Sequence, residues 1–312
     1  MALPAVSEEE FIALCHKMQS PSRVAKHLGI NLRNVLSRIS RLEGKGVRFV
    51  VDDPRSKRQV LENAPARTSM QIENGVVIVG SDAHYMPEVE SVAQAAFLKL
   101  IKELKPRAVV MNGDAFDGGT ISRWPRTGWE QRPSVLNELE ACRYHLGRIE
   151  DAAKRAALLW PLGNHDARFN TRLAAVAGEF EGVPGFSLKD HFPAWTPCWS
   201  LWLNERVVVK HRFRSGIHAT HNNTLWAGTT MVTGHTHSLK VTPITDYNGT
   251  RYGVDSGTLA DPMGEPFVNY SEDNPKNHRS GFVVLTFHKG VLLPPELCEV
   301  TPLGAVFRGV IV

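Results

Sequence analysis

The stretch Gly75-Val76-Val77-Ile78-Val79-Gly80-Ser81-Asp82-Ala83-His84 sets a continuous β-branched run directly before an acid and a histidine two residues apart. A short apolar run without alternation reads as a strand buried on both faces, as in a parallel sheet covered by other layers. Chemistry-bearing residues just past such a strand sit where open α/β sheets build their sites, outside the carboxyl ends. The same sentence is then repeated down the chain. A helix over residues 88–104 leads to Ala108-Val109-Val110-Met111 and then Asp114. An amphipathic helix over 134–157, with Leu139, Cys142, Leu146, Ile149 and Ala153 on one face, leads to Leu158-Leu159-Trp160-Pro161-Leu162 and then Asn164. Strand-like runs follow at 199–203, 206–210, 230–233, 239–245, 250–255, 281–287, 291–293 and 305–311. Strand–helix alternation followed by strands predicts an α/β (α+β sandwich) fold, two β-sheets flanked by helices.

Five motifs carry the chemistry: Asp82-Ala83-His84, Gly113-Asp114-Ala115-Phe116-Asp117, Gly163-Asn164-His165-Asp166, His211 after Val207-Val208-Val209-Lys210, and Gly234-His235-Thr236-His237. Taken singly, each has an ordinary reading: Asp-x-His arises by chance, Gly-Asp-x-x-Asp makes turns, and a histidine pair can sit in a solvated loop. All of them in this order, each after an apolar strand, describe converging oxygen and imidazole ligands. That donor set suits manganese, zinc, iron or nickel rather than a thiolate-loving metal. The glycines Gly113, Gly163 and Gly234 let the backbone turn tightly against the site.

This constellation resembles the calcineurin-like metallophosphoesterase superfamily over residues 75–260, on the nuclease/phosphodiesterase side. The resemblance implies the family's two-sheet sandwich and two divalent metal ions, manganese first among them. It implies that Asp82, His84 and His237 hold one ion, that Asn164, His211 and His235 hold the other, and that Asp114 bridges them. It further implies a catalytic His165 near the scissile phosphate, oriented by Asp166. The chain departs from the family at Arg212, where glycine is usual, with His218 and His221 as competitors for His211; His145 and His191 read as ordinary surface or helix histidines. In a two-metal site the ions clamp the phosphate and generate a bridging hydroxide that attacks phosphorus in line, while a histidine serves the leaving oxygen. Gly118-Gly119 after Asp117, GNHD rather than GNHE, and GHTH set the chain apart from the protein serine/threonine phosphatase branch.

Residues 11–60 hold eleven Lys and Arg against three acids, whereas the whole 312-residue chain is only +4. Just before this basic segment Ser7 with Glu10 makes a capping box that opens a first helix; Ser20-Pro21 opens a second, Gly29 ends it, and a third runs over 31–42. Leu32, Val35, Leu36 and Ile39 are expected inward on that helix, with Arg33, Arg38 and Arg41 outward, and Val47–Val51 alternates like a strand. The order is that of a helix-turn-helix or winged-helix DNA-binding domain. The alternative is a basic docking or dimerisation module. Three segments follow: 1–52 helix-turn-helix-like, 53–72 linker, 73–312 catalytic.

A nucleic-acid substrate, DNA first, is favoured by this module and by the loop after Asp117, where Arg123, Trp124, Arg126 and Trp129 interleave cations with stacking surfaces. The alternative there is that the tryptophans cover the edge of the core. The expected function is phosphodiester hydrolysis in DNA. The alternatives are a small-molecule (cyclic nucleotide or nucleotide) phosphodiesterase or phosphatase whose N-terminal module mediates assembly, and a regulator that senses a phosphorylated ligand. An apolar fraction of 42% and charged fraction of 22% are those of a globular protein. No run reaches the roughly 18 apolar residues of a membrane span. Residues 1–14 have no basic leader, and Cys15, Cys142, Cys198 and Cys298 form no CxxC pair, so buried thiols in a cytoplasmic protein are expected. No membrane partner is expected, and a homo-oligomer is left open.

Overall fold

The computed structural model describes residues 6–312 except 19, 46, 48, 50–65, 127, 265–266, 268–273 and 275. The chain divides into two units, Met1–Glu62 and Asn63–Val312.

In the first unit, α1 (Glu8–Met18), α2 (Pro21–Leu28) and α3 (Leu32–Glu43) enclose Phe11, Cys15, Val24, Ala25, Val35, Ile39 and Leu42. The capping box forms in both directions, Glu10 N–H to Ser7 Oγ and Ser7 N–H to the Glu10 carboxylate, each at 3.1 Å. Gly29 ends α2 in the left-handed region at φ 65°, and the Asn31 side chain accepts the Arg33 N–H to start α3. Two expectations on α3 are corrected. Leu32 and Leu36 are exposed, because α3 turns the Val35–Ile39–Leu42 row inward instead. Arg38 does not face outward as a free cation: it donates to the carbonyls of Val6 and Ser7 and lies over the Phe11 ring at 4.4 Å. Arg41 is paired with Glu8 at 2.9 Å, while Arg33 is exposed. The expected strand at 47–51 falls mostly outside the described residues.

The second unit is a sandwich of two mixed sheets flanked by helices. In one sheet, β2 (Gly75–Gly80), β3 (Ala108–Met111), β4 (Ala157–Pro161) and β5 (Thr196–Cys198) are parallel neighbours. β11 (Gly281–His288) pairs antiparallel with β2, and β12 (Val291–Leu292), β13 (Glu296–Thr301), β14 (Gly304–Phe307) and β15 (Val310–Ile311) complete that side. The other sheet runs β1 (Thr68–Met70), β6 (Leu201–Leu203), β7 (Val207–Val209), β8 (Thr230–Thr233), β10 (Gly249–Asp255) and β9 (Lys240–Asp246).

The strand period of two splits β2 between two cores. Val77 and Val79 face the other sheet, among Leu201, Val209, Val232 and Val254. Ile78 faces α4 (Val92–Leu104) and α5 (Val135–Ala152), among Phe97, Ile101, Leu146 and Ile149. Both faces are buried, so the run is apolar without alternation.

Several boundaries differ from the sequence expectation. The end of the expected 53–72 linker is strand β1, which pairs in parallel with β6. The first long helix starts at Val92 rather than 88, because Ser91 caps it and Glu88 has φ 61°. The second ends at Ala152, since Ala157 already belongs to β4. The 305–311 run is two strands folded at Arg308-Gly309, and β13 was not expected. All four cysteines are buried free thiols. Among the described residues no helix is long and apolar enough to cross a membrane.

Candidate metal centre

Five strands deliver the site at their carboxyl ends. β2 leads to Asp82 and His84, β3 to Asp114, β4 to Asn164, β7 to His211 and β8 to His235 and His237. Three ligand-distance groups result: Asp82, His84 and His237; Asp114, His211 and His235; and His84, Asp117 and His165. Within each group the donor atoms lie within 4.8 Å of one another.

The first group centres on a fully buried carboxylate. Asp82 Oδ1 is 3.0 Å from His237 Nε2, and its Oδ2 accepts the His235 N–H at 2.9 Å. Burial would push this carboxyl up, but the His237 and His211 imidazoles hold it at about 2. His84 donates Nδ1–H to Asp117 Oδ1 at 2.9 Å, and its buried Nε2 has no hydrogen-bond partner.

The second group is tied to the first through two acids. His211 donates Nδ1–H to the Asn112 carbonyl at 2.7 Å, which fixes the tautomer and turns Nε2 inward. That Nε2 lies 3.0 Å from Asp114 Oδ2 and 3.9 Å from Asp82 Oδ1, yet makes no hydrogen bond of acceptable angle to either. Burial alone would lower the His211 pKa; Asp114 and Asp82 raise it to about 10. The two buried carboxylates thus favour positive charge at this point of the site. Asn164 adds a buried, unpartnered Oδ1. Its flanking residues hold it beside Asp114: His165 N–H donates to Asp114 Oδ1 at 2.8 Å, and Gly163 touches the same acid.

The orphaned His84 Nε2, His211 Nε2, His237 Nδ1 and Asn164 Oδ1 are the test of fit for divalent ions. Buried polar atoms without partners are rare in folded proteins, and four of them among acids and imidazoles suit cation ligation. The backbone is strained to achieve this. Asp82, His84, Asp114, His235 and His237 all have φ between 41° and 71°. Each left-handed non-glycine residue costs on the order of 1 kcal/mol, and such outliers gather at functional sites.

Two glycines permit the closest approaches. A Cβ on Gly163 would fall 2.0 Å from Asp114 Oδ1, and one on Gly234 would fall 2.6 Å from Asp82 Oδ2.

Asp166 does not do what the resemblance implied. Its carboxylate accepts five N–H donors instead: the backbones of Asp114, Ala115, Phe116 and Gly163, and Trp160 Nε1, at 2.8–3.1 Å. It is the anchor of the Asp114 loop. Asp117 orients His165, taking its Nδ1–H at 2.7 Å. Burial and the neighbouring Asp114 charge push Asp166 up to about 6, still ionised at neutral pH as five donors require.

Several site residues were not foreseen. Asp117 holds two histidines, and Arg168 reaches both Asp117 O and His165. Asp255 anchors the Gly234–Ser238 loop through Thr236 Oγ1 and the Ser238 N–H, and also accepts the Gly257 N–H at 2.9 Å. Phe267 sets its ring 5.5 Å from His84 and 5.6 Å from His237, and His278 stands 4.8 Å from His237. Asp255 ends a strand-like run as Asp82 nearly does, which is the signal that could have found it; Phe267 and His278 carry none.

Of the remaining candidates, Arg123, Trp124, Arg126 and Trp129 are exposed on the loop leaving Asp117, Trp129 almost fully at 96%. Arg123 lies 5.0 Å from the Trp124 ring, and Arg132 pins the loop to the carbonyls of Gly119, Trp124 and Pro125. The tryptophans do not cover the core edge. His221 is exposed and His218 precedes α7 (Ala219–Ala227), so His211 alone of the three joins the cluster. His145 is buried against Tyr85 rather than at the surface, their rings stacked at 4.5 Å.

Fold and site together define an α/β sandwich with an acid–imidazole cluster at its strand ends. No protein-family profile and no curated protein matches the sequence. Among solved structures, the chain is similar to wild-type Vps29 complexed with zinc from Entamoeba histolytica, at 15% identity over 74% of this chain and 96% of that one, TM-score 0.38. It is similar to an archaeal phosphodiesterase at 11% identity over 71% and 99%, TM-score 0.38. It is also similar to YfcE, a phosphoesterase from E. coli, at 16% identity over 70% and 97%, TM-score 0.32.

Proposed function

We propose that the chain is a dinuclear-metal-dependent phosphoesterase that hydrolyses phosphodiester bonds, with DNA as substrate. The observation that carries the reaction class is the pair of donor groups, Asp82–His84–His237 and Asp114–His211–His235 with Asn164, and the orphaned atoms between them. Two divalent cations held there would draw the phosphate into the site and make water nucleophilic at neutral pH. Manganese is the first candidate on ligand type, with zinc, iron and nickel as alternatives.

The chain's own groups supply the rest. Asp117 takes the Nδ1–H of His165, which turns Nε2 away from that anchor and toward Arg168 Nη2 at 3.1 Å, where an arriving leaving oxygen would displace that contact. Asp166 and Asp255 fix the two ligand loops without touching the reacting atoms. DNA is favoured over a small diester by two features. The exposed Trp124 and Trp129 with Arg123 and Arg126 can stack bases and pair phosphates. The N-terminal three-helix unit exposes Arg33 at the start of α3, where a helix-turn-helix contacts DNA.

The test is parallel incubation of the manganese-loaded protein with labelled single-stranded DNA, duplex DNA, cyclic nucleotides and a generic aryl phosphodiester. Cleavage of DNA supports the full reading. Hydrolysis of the small esters alone sinks the nuclease assignment and moves the function to a small-molecule phosphodiesterase. Silence toward every ester with every metal rejects the enzyme. His165→Ala should abolish turnover while metal content stays unchanged.

A further inference from the structure

We propose that Arg168 is a phosphate-binding residue, its guanidinium taking a non-bridging oxygen of the scissile phosphate beside His165. This deepens the phosphoesterase reading and rests on it. The helix α6 (Asp166–Val176) starts directly after His165, so Arg168 stands three residues on, on the same face one turn later. Its Nη1 donates to the Asp117 carbonyl at 2.8 Å, and its Nη2 meets His165 Nε2 at 3.1 Å. The side chain is 21% exposed, so its head is inside the site but reachable from outside.

Three points argue for a ligand rather than a staple. Nη1 alone serves Asp117, at 2.8 Å from its carbonyl and 4.0 Å from its Oδ2, whereas a guanidinium offers five donors in a planar fork matched to phosphate. Its second contact is to His165 Nε2, the ring nitrogen left over once Nδ1 is held by Asp117, so the arginine sits on the imidazole atom that would meet substrate. The chain also leaves room for the arginine: a Cβ on Gly118 would lie 3.3 Å from both Cβ and Cδ of Arg168 and 2.9 Å from Phe116. Gly118 therefore clears the path along which the arginine reaches the cluster. A phosphate oxygen arriving between Arg168 and His165 exchanges the Nη2–imidazole contact for a charge-assisted one, and the freed Nε2 then faces the phosphate. The Asp117 carbonyl keeps Nη1 fixed throughout, so the fork pivots without leaving the site.

The experiment titrates inorganic phosphate into the manganese-loaded full chain by calorimetry, for wild type, Arg168→Lys and Arg168→Gln. Loss of one charge-assisted contact predicts a Kd raised about 10–100-fold in Arg168→Gln, with metal content and Tm unchanged and Arg168→Lys in between. KM for a generic diester should rise in parallel. A phosphate Kd within about twofold of wild type in a metal-replete Arg168→Gln protein overturns the assignment, twofold being well below one lost charged contact. Because a variant can lose metal or unfold, the wild type provides a second readout. On 15N-arginine labelling, the guanidinium resonance that disappears in Arg168→Lys should shift when phosphate is added, and a stationary resonance overturns the proposal. A wild type that neither binds phosphate nor hydrolyses any ester fails the phosphoesterase reading itself, an outcome distinct from equal binding by wild type and variant.

Discussion

Asp117 Oδ1 accepts the Nδ1–H of His165 at 2.7 Å, and the same oxygen accepts the Nδ1–H of His84 at 2.9 Å. One carboxylate thus fixes the tautomer of a metal-ligand candidate and of the histidine assigned to the leaving group. The two imidazoles shared in this way hold the Asp117 carboxyl well below the usual carboxylate range, despite its burial. Asp117→Asn should lower kcat or metal affinity roughly 10–100-fold, the usual cost of losing a group that orients ligands. Elemental analysis and steady-state kinetics on the same preparation separate the two effects. Unchanged values of both would remove Asp117 from the machinery.

Gly163→Ala tests the close approach to Asp114. The added methyl would fall 2.0 Å from Asp114 Oδ1 and 2.5 Å from its backbone nitrogen. Overpacking typically costs about 1–3 kcal/mol, and here it also displaces the acid assigned between the two ions. Urea denaturation should show a lower midpoint at unchanged slope, and metal stoichiometry should fall. A fully loaded, wild-type-stable Gly163→Ala protein would contradict the geometry.

Glu138 supplies the pH prediction. It is fully buried, accepts the N–H groups of Gly118 and Gly119, and is pushed up to about 7 by burial and the nearby Asp117 charge. The native state therefore binds this proton more tightly than the unfolded chain, whose carboxyl titrates near 4.5. The contribution is fully present below that lower pKa and is lost as pH rises through about 7, at up to about 1.4 kcal/mol per pH unit. Glu138→Gln cannot titrate, so its stability relative to wild type should improve by about 1–3 kcal/mol between pH 5 and pH 8. Denaturant melts at both values, with chelator present, measure it. A difference between the two proteins that does not change with pH would refute it.

Arg33 and Arg38 should part company. Arg38→Ala removes two carbonyl contacts and the Phe11 ring contact and should destabilise the N-terminal unit by about 1–2 kcal/mol. Arg33→Ala should be neutral in stability within about 0.5 kcal/mol. It should still weaken DNA binding and reduce the logarithmic salt slope by about one. Fluorescence anisotropy across a salt series reads this, and an Arg33→Ala protein indistinguishable from wild type would separate the module from DNA.

What the sequence made legible was whatever periodicity and strand-end placement encode. Val76–Val79 and Ala108–Met111 announced buried strands, and the acids and histidines past them were the cluster found. The residues that hold the ligands were less visible, because their roles arise from contacts between distant segments. Asp166 sits beside His165 in sequence, yet α6 turns its carboxylate back onto Asp114, fifty-two residues earlier. Asp117 looked like the tail of a turn and proved to be the anchor of two imidazoles. Arg38 counted as surface charge, whereas its guanidinium holds the carbonyls of Val6 and Ser7 just before α1, the former thirty-two residues away. Strand β1 escaped because three residues of mixed polarity carry no period.

The left-handed backbone at Asp82, His84, Asp114, His235 and His237 has a consequence at the level of the cell. The strained backbone at those five residues works against folding, and a cation bound among their side chains would offset it. A ligand that binds only the native state adds stability in proportion to the logarithm of its free concentration. The lifetime of this protein should therefore follow metal supply: starved chains open more often and are cleared sooner by proteases, and replete chains persist. Abundance would then track the metal without any dedicated sensor.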